Sequence, residues 1–151
     1  MKYHDYARQI RSITAIFWLG FFMAISFMEA PLKFTAPYLS MAEGLQIGRI
    51  IFGALNRCEW VFLAVILVTL CVNRAGARLY LIFAVAAILL LESFWLLPVL
   101  DADALRIING RLPNHDQMHW IYVIFEVAKA PLLLMLGLEY SKYPRELQTS
   151  A

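Results

Sequence analysis

Hydrophobic residues are concentrated in four long segments, and short polar stretches separate them. The segments cover about residues 13–34, 47–72, 79–100 and 118–138. Each exceeds the roughly 20 residues that an α-helix needs to cross about 30 Å of hydrocarbon. Asn56, Arg57 and Glu59 interrupt the second segment, whose strictly apolar remainder is too short to span alone, so it spans only as a whole. The pattern predicts a single all-α domain, a bundle of four transmembrane helices.

Composition supports this interpretation. The 151 residues are 62% hydrophobic and 16% charged, against about 45–50% apolar and about 25% charged in soluble domains. The length leaves no room for a separate soluble module. The net charge is +2 and the basic residues are scattered, so no basic stripe indicates a nucleic acid. The expected surroundings are a lipid bilayer, with another membrane protein or a second copy of the chain as the open alternatives for a partner.

The basic residues of the short flanking segments predict the orientation, because Lys and Arg favour the cytoplasmic side. One side holds seven of them: Lys2, Arg8, Arg11, Arg74, Arg78, Lys142 and Arg145. The other side holds four, spread over two longer loops: Lys33, Arg49, Arg106 and Arg111. Both termini are therefore predicted to be cytoplasmic. The first segment lacks a small-x-small cleavage site, so we interpret it as a retained span.

The two outer loops have different predicted structures. The first is expected to be broken by Pro37 and Gly44. In the other, which is the third loop of the chain, Asp101 or Asp103 is expected to cap a short amphipathic helix that Gly110 ends. That helix is predicted to lie along the outer membrane surface.

Each predicted span carries one glutamate in what we expect to be the outer half of the bilayer. A charged side chain there costs about 2.5–3.5 kcal/mol, so such groups usually face inward, pair, and mark function. Tyr122, Glu126 and Lys129 share one helical face, and so do Arg49, Asn56 and Glu59 on the second helix. The pattern predicts a polar chamber, open to the outside, that holds a small solute or a proton. Its predicted residues are Glu29, Asn56, Glu59, Glu92, Tyr122 and Glu126.

Arg49, Arg57 and Lys129 are the candidate charge partners of these glutamates. Glu59 with Arg57 or Arg49, and Glu126 with Lys129, could also be ion pairs that only hold the helices together. Four glutamates nevertheless exceed the two or three buried cations. We therefore expect that at least one carboxyl is protonated or that a bound cation balances it.

Metal binding and catalysis have weaker support. His115 and His119 are four residues apart and could hold a metal ion from one helix face, but they lie at the predicted membrane surface. Neither forms the Glu-x-x-His pair of carboxylate metal sites in helix bundles. The sequence has no Gly-x-Ser-x-Gly and no glycine-rich phosphate loop. We predict no catalytic residue and no cofactor other than a possible metal ion; whether the protein is an enzyme stays open, and a non-enzymatic function is favoured.

The first hairpin resembles a known family. Residues 29–34 read Glu-Ala-Pro-Leu-Lys-Phe, and residues 48–56 read Gly-Arg-Ile-Ile-Phe-Gly-Ala-Leu-Asn. They resemble the Ala-Pro-x-x-Phe end of the first helix and the Gly-Arg-x-x-x-x-x-Leu-Phe start of the second in a family of small uncharacterised four-helix bacterial membrane proteins, whose eukaryotic relatives are named only for topology. Asn56 and Glu59 depart from the family pattern. The resemblance implies a four-helix fold in a bacterial cytoplasmic (inner) membrane, and no established reaction.

Three functions are compatible with these observations. The preferred hypothesis is a membrane-embedded binding or transport protein whose chamber takes a small solute, a cation or a proton. The alternative is a non-catalytic accessory or assembly subunit whose polar faces pair with another membrane protein. A metal-dependent membrane enzyme that uses His119 and the carboxylates is a third hypothesis. Access of small water-soluble reagents to the chamber separates the first two, and a tightly bound metal would favour the third.

Overall fold

The polypeptide is almost entirely helical. A computed structural model describes residues 2–74, 78–114 and 117–138, with side chains from Tyr6 onward, and these ranges contain no strand. Four helices are long and apolar enough to cross a membrane, Tyr6–Thr35, Met41–Val72, Leu79–Ile108 and Met118–Gly137. We refer to them as the first to fourth helices. The predicted all-α fold with four apolar helices is confirmed, whereas the orientation of the termini stays a prediction.

The first helix begins much earlier than its hydrophobic segment. Its α-helical part is Lys2–Met23, and a π-helical turn, Ala24–Glu29, continues it. Arg8 and Arg11 lie in the added turns and are buried. The guanidinium of Arg11 donates a hydrogen bond to the carbonyl of Asn73, which caps the end of the second helix. The early turns are therefore held by polar contacts that hydrophobicity does not reveal.

The second helix begins at Met41, before the predicted residue 47, because a capping box starts it there. The Ser40 hydroxyl accepts a hydrogen bond from the Glu43 amide (3.2 Å), and the Glu43 carboxylate accepts one from the Ser40 amide (2.8 Å). The prediction that Gly44 lies in the first outer loop and breaks it is wrong. Gly44 is buried inside the helix, where a Cβ would lie 2.5 Å from the ring of Phe34. Its missing side chain allows the two helices of the first hairpin to approach closely.

The third helix is longer than predicted. The separate short helix expected in the third loop does not form, because its residues continue the third helix as Leu97–Ile108. Neither Asp101 nor Asp103 starts a helix, so their predicted capping role is wrong. Pro98 does not end the helix, which continues from the π-helical segment Glu92–Leu96 through Pro98 to Ile108.

The end of this helix is as predicted. Gly110 has a φ of +71°, a left-handed conformation that glycine adopts without steric cost. Its amide donates to the carbonyl of Ile107 (2.9 Å), and the Arg111 amide donates to the carbonyl of Arg106 (2.9 Å). These two bonds form a Schellman motif, which satisfies the last carbonyls of the helix.

An apolar core fills most of the bundle on the side of the loop that joins the second and third helices. Its fully buried members include Trp18, Phe22, Leu63, Ile66, Leu81, Ile82, Val85, Leu89, Leu133 and Leu136. The first helix packs against the second and fourth, and the third packs against the fourth. Lipid is as apolar as these side chains, so van der Waals packing and polar contacts hold such helices together. The buried polar contacts therefore matter for stability as well as for function.

Candidate functional site

Three glutamates and one lysine meet in the interior of the bundle. The ammonium of Lys129 lies 2.7 Å from Glu59 Oε1, 2.7 Å from Glu92 Oε2 and 3.4 Å from Glu126 Oε1. All four side chains are buried, and the three carboxylates offer oxygens within 4.8 Å of one another. The second, third and fourth helices each supply one carboxylate. We call these four residues the carboxylate–lysine cluster.

The first helix supports this cluster without adding a charge. The indole N–H of Trp18 donates to Glu59 Oε1 at 2.9 Å. The ring centroid of Phe22 lies 5.2 Å from the Lys129 ammonium, a cation–π distance. Both aromatic residues are fully buried. They hold one carboxylate and the ammonium in place.

Glu29 does not join the cluster, so the expectation that all four glutamates meet is wrong. Its carboxylate is half-buried and pairs with Lys33 of the next turn at 3.5 Å. Glu29 follows Phe22 by seven residues, which corresponds to about 10 Å along a helix. The first helix therefore presents an aromatic ring at the depth of the cluster, and Glu29 lies closer to the far end of the bundle.

Two of the candidate cations, Arg49 and Lys129, have carboxylate partners that were not predicted for them. Arg49 forms a two-bond ion pair with Asp101, with Nε–Oδ1 at 2.5 Å and Nη2–Oδ2 at 3.0 Å, and so links the second and third helices. Because Glu59 pairs with Lys129, the prediction that Arg49 or Arg57 neutralises it is wrong. The predicted pair of Glu126 with Lys129 is confirmed.

A hydrogen-bonded group next to the cluster involves a residue that sequence reasoning missed. The hydroxyl of Ser93 accepts hydrogen bonds from the Asn56 amide (2.7 Å) and the Trp60 indole (3.0 Å), and donates to the carbonyl of Leu89 (2.7 Å). Ser93 directly follows Glu92 in an otherwise apolar segment, and that position was the available signal. The hydrogen bond from Asn56 to Ser93 places Asn56 beside the cluster.

A cavity of about 750 Å³ leads from the cluster toward the end of the bundle where the first hairpin closes. Tyr122 and Glu126 line its inner end, and Lys33, Arg49 and Asp101 line its outer part. Among the described residues no hydrogen bond of good geometry reaches either carboxylate oxygen of Glu126, although the Tyr122 hydroxyl and the Lys129 ammonium are its polar neighbours. Buried acceptors are nearly always satisfied. Glu92 Oε1 also lacks a partner among the described residues, but of the cluster only Glu126 lines the cavity, so Glu126 is the member that a ligand in the cavity would meet.

Two π-helical turns lie beside this cavity. Ala24–Glu29 of the first helix contributes Ser26 to the lining, and Glu92–Leu96 of the third contributes Ser93. The Ser26 hydroxyl is buried and has no hydrogen-bond partner among the described residues. Such turns in α-helices occur frequently at functional sites. Both turns direct a small polar side chain toward the same space.

The residues predicted to bind a metal ion, His115 and His119, are not the acidic residues that meet in the cluster. His119 is exposed and lines the cavity, and His115 lies outside the described residues, so that pair stays a prediction. The oxygens of Glu59, Glu92 and Glu126 are close enough to hold one metal ion. Carboxylates suit hard cations such as Ca²⁺ or Mg²⁺. The Lys129 ammonium already lies among these oxygens, however, so a metal ion would have to displace it.

No protein-family model, curated protein or solved structure matches the chain. The fold and the site describe the chain as a multi-pass protein with four membrane-length apolar helices and a buried carboxylate–lysine cluster. The family resemblance of the first hairpin stays a prediction.

Proposed function

We propose that this chain is a membrane-embedded binding or transport protein that takes a small cationic solute or a proton at the carboxylate–lysine cluster. The observation that carries the proposal is the cavity that reaches Glu126, whose buried oxygens accept no hydrogen bond of good geometry from the described residues. The distribution of basic residues supports an orientation with both termini on the cytoplasmic side, and the proposal of a bacterial inner membrane rests on the resemblance of the first hairpin.

Charge balance favours exchange over a purely structural network. With every group ionised, three carboxylates surround one ammonium, which leaves two negative charges in excess. Buried charges are costly unless they are paired and hydrogen-bonded. Protons or a bound cation must therefore balance the excess, and the cavity offers the path by which they would enter and leave.

The alternative of an accessory subunit is favoured by one observation, the position of Arg57. This side chain lies sixteen residues after the start of the second helix at Met41, and it is exposed and borders the cavity. A cation at membrane depth usually faces water or an opposite charge. An acidic group on another membrane protein, or on a second copy of the chain, would supply that partner.

Infrared difference spectroscopy of the carboxyl groups tests the preferred function. Wild type, Glu59→Gln, Glu92→Gln and Glu126→Gln would be titrated with acid and, separately, with monovalent and divalent cations. We expect a protonated-carboxyl band, or a cation-dependent carboxylate shift, that Glu126→Gln removes. Glu43→Gln is the matched control, because Glu43 is exposed and glutamine also fits the third position of a capping box.

Two results would contradict the proposal. If all carboxyl bands of the cluster stay those of ionised groups throughout the acid titration and no cation shifts them, the cluster is a static ion-pair network. If Glu43→Gln changes the spectra as much as Glu126→Gln, the signal does not come from the cluster. In either case the accessory-subunit function becomes the preferred one.

A further inference from the structure

The interhelical cavity is larger than a proton or a metal ion requires. Its volume of about 750 Å³ falls within the roughly 300–1,000 Å³ of pockets that hold drug-sized organic molecules. Between its polar ends the wall is built mainly from apolar side chains, among them Phe27, Phe52, Leu97 and Val123. A molecule that fills this space needs an apolar body.

The charges at the outer part of the cavity largely balance one another. Lys33 pairs with Glu29, and its ammonium also lies 5.3 Å from the ring centroid of Phe52. Arg49 is paired with Asp101 through two hydrogen bonds. Arg57, which is exposed, adds one further cation to the lining. The negative excess lies in the carboxylate–lysine cluster at the inner end, where three carboxylates surround one ammonium. A cationic group would be drawn there, and an anionic group would be repelled.

The protein already binds one ammonium group at this depth. Lys129 is held by two carboxylate oxygens at 2.7 Å and by the face of Phe22. Glu126 lines the inner end of the cavity, and no hydrogen bond of good geometry reaches its two buried carboxylate oxygens among the described residues. The rings of Phe52 and Tyr122, which meet edge to face with centroids 5.6 Å apart, form an aromatic wall beside it. An entering ammonium would find the same two kinds of partner that stabilise Lys129.

We propose that the cavity binds an organic monocation, an amine with an apolar body, with its ammonium at Glu126 and its body along Phe52 and Tyr122. This inference rests on the proposed function and specifies its substrate class. The ligand ammonium donates a charge-assisted hydrogen bond to Glu126, and the apolar part fills the space toward the outer end. No covalent step is involved.

Binding of three matched probes to the purified full chain in detergent tests this inference by calorimetry at neutral pH. The probes are 2-phenylethylamine, 2-phenylethanol and 3-phenylpropionate, which share a phenyl group on a short chain and differ in charge. We expect the amine to bind about tenfold or more tightly than the alcohol, because a hydrogen bond to a charged group is stronger than a neutral one. The carboxylate should bind most weakly.

Two variants separate the charge from the space. Glu126→Gln should reduce amine affinity to about that of the alcohol, while Glu43→Gln should leave it unchanged. Gly53→Leu should abolish binding of both the amine and the alcohol. Gly53 lines the cavity and a Cβ there meets no atom within 4 Å, so the larger side chain fills space without a backbone clash. The infrared titration of Gly53→Leu should stay like that of the wild type.

The outcomes distinguish this inference from the proposed function. Equal binding of all three probes would show an apolar groove without charge selection and would overturn the amine inference. Absence of amine binding, together with carboxyl bands that respond to protons or inorganic cations, would overturn it and leave the proposed function standing. Absence of amine binding together with unresponsive carboxyl bands would overturn both.

Discussion

Replacing Lys129 by methionine removes the ammonium around which the three buried carboxylates are arranged. Methionine is of similar length and apolar, so the change removes charge and hydrogen bonds more than volume. Lys129 is fully buried and contacts Glu59 and Glu92 at 2.7 Å and Glu126 at 3.4 Å. Removing one partner of a buried ion pair costs about 3–5 kcal/mol. We expect Lys129→Met to lower the free energy of unfolding by at least this amount.

Lys33→Met is the matched control. Lys33 also lines the cavity, but it makes one 3.5 Å ion pair that is partly exposed, since the side chain of Lys33 is 9% exposed and that of Glu29 is 28% exposed. Partly exposed pairs contribute about 0–1 kcal/mol. The two variants should therefore differ by about 2 kcal/mol or more in unfolding by sodium dodecyl sulfate titrated into mixed micelles.

The loss should also depend on the charge of the cluster. Adding Glu126→Gln to Lys129→Met removes one of the carboxylates left without a cation, so the double variant should be more stable than Lys129→Met alone. Acidic pH should reduce the penalty in the same way, because protonated carboxyls carry no charge. If Lys129→Met is no less stable than Lys33→Met, or if neither change rescues it, the cluster is not held together by charge.

Two further predictions concern the first helix and the orientation. Trp18→Phe removes the indole hydrogen bond to Glu59 and should lower the free energy of unfolding by about 1.5–3 kcal/mol in the same assay. The control is Trp120→Phe, at a residue that is 68% exposed, which should change it by less than about 0.5 kcal/mol. Equal effects would contradict a role for the hydrogen bond. A reporter fused after Ala151 should be cytoplasmic and one at Ser40 external, and an external C-terminus would reverse the direction in which the cavity opens.

Hydrophobicity predicted how many helices there are and roughly where they lie, but it did not predict their ends. A hydropathy pattern measures the transfer of side chains into lipid, whereas a helix continues as long as its backbone bonds and polar side chains find partners. The first helix continues through Arg8 and Arg11, which are buried, and the third continues through Asp101, which pairs with Arg49. The start at Ser40 was predictable, because Ser-x-x-Glu before an apolar run indicates a capping box.

Helical periodicity predicted which polar residues share a face, because it depends only on spacing along one helix. Glu126 and Lys129, three residues apart, are paired as expected. Pairing between helices was harder to predict, because it depends on how far each helix is shifted along its neighbour. A shift of seven residues moves a side chain by about 10 Å, and that is the extent to which Glu29 lies beyond the ring of Phe22. Neither π-helical turn has a signal that spacing alone would reveal.

The ammonium of Lys129 is shared unequally among the three carboxylates of the cluster. Glu59 and Glu92 each lie 2.7 Å from it, while Glu126 lies 3.4 Å away on the side where the cavity ends. A short contact alone does not satisfy a carboxylate, because Glu92 Oε1 also lacks a hydrogen-bond partner among the described residues. Glu126 differs from Glu59 and Glu92 because it lines the cavity. In the proposed function, the tethered lysine stabilises the bundle, and Glu126 is the acidic group that a second cation would meet.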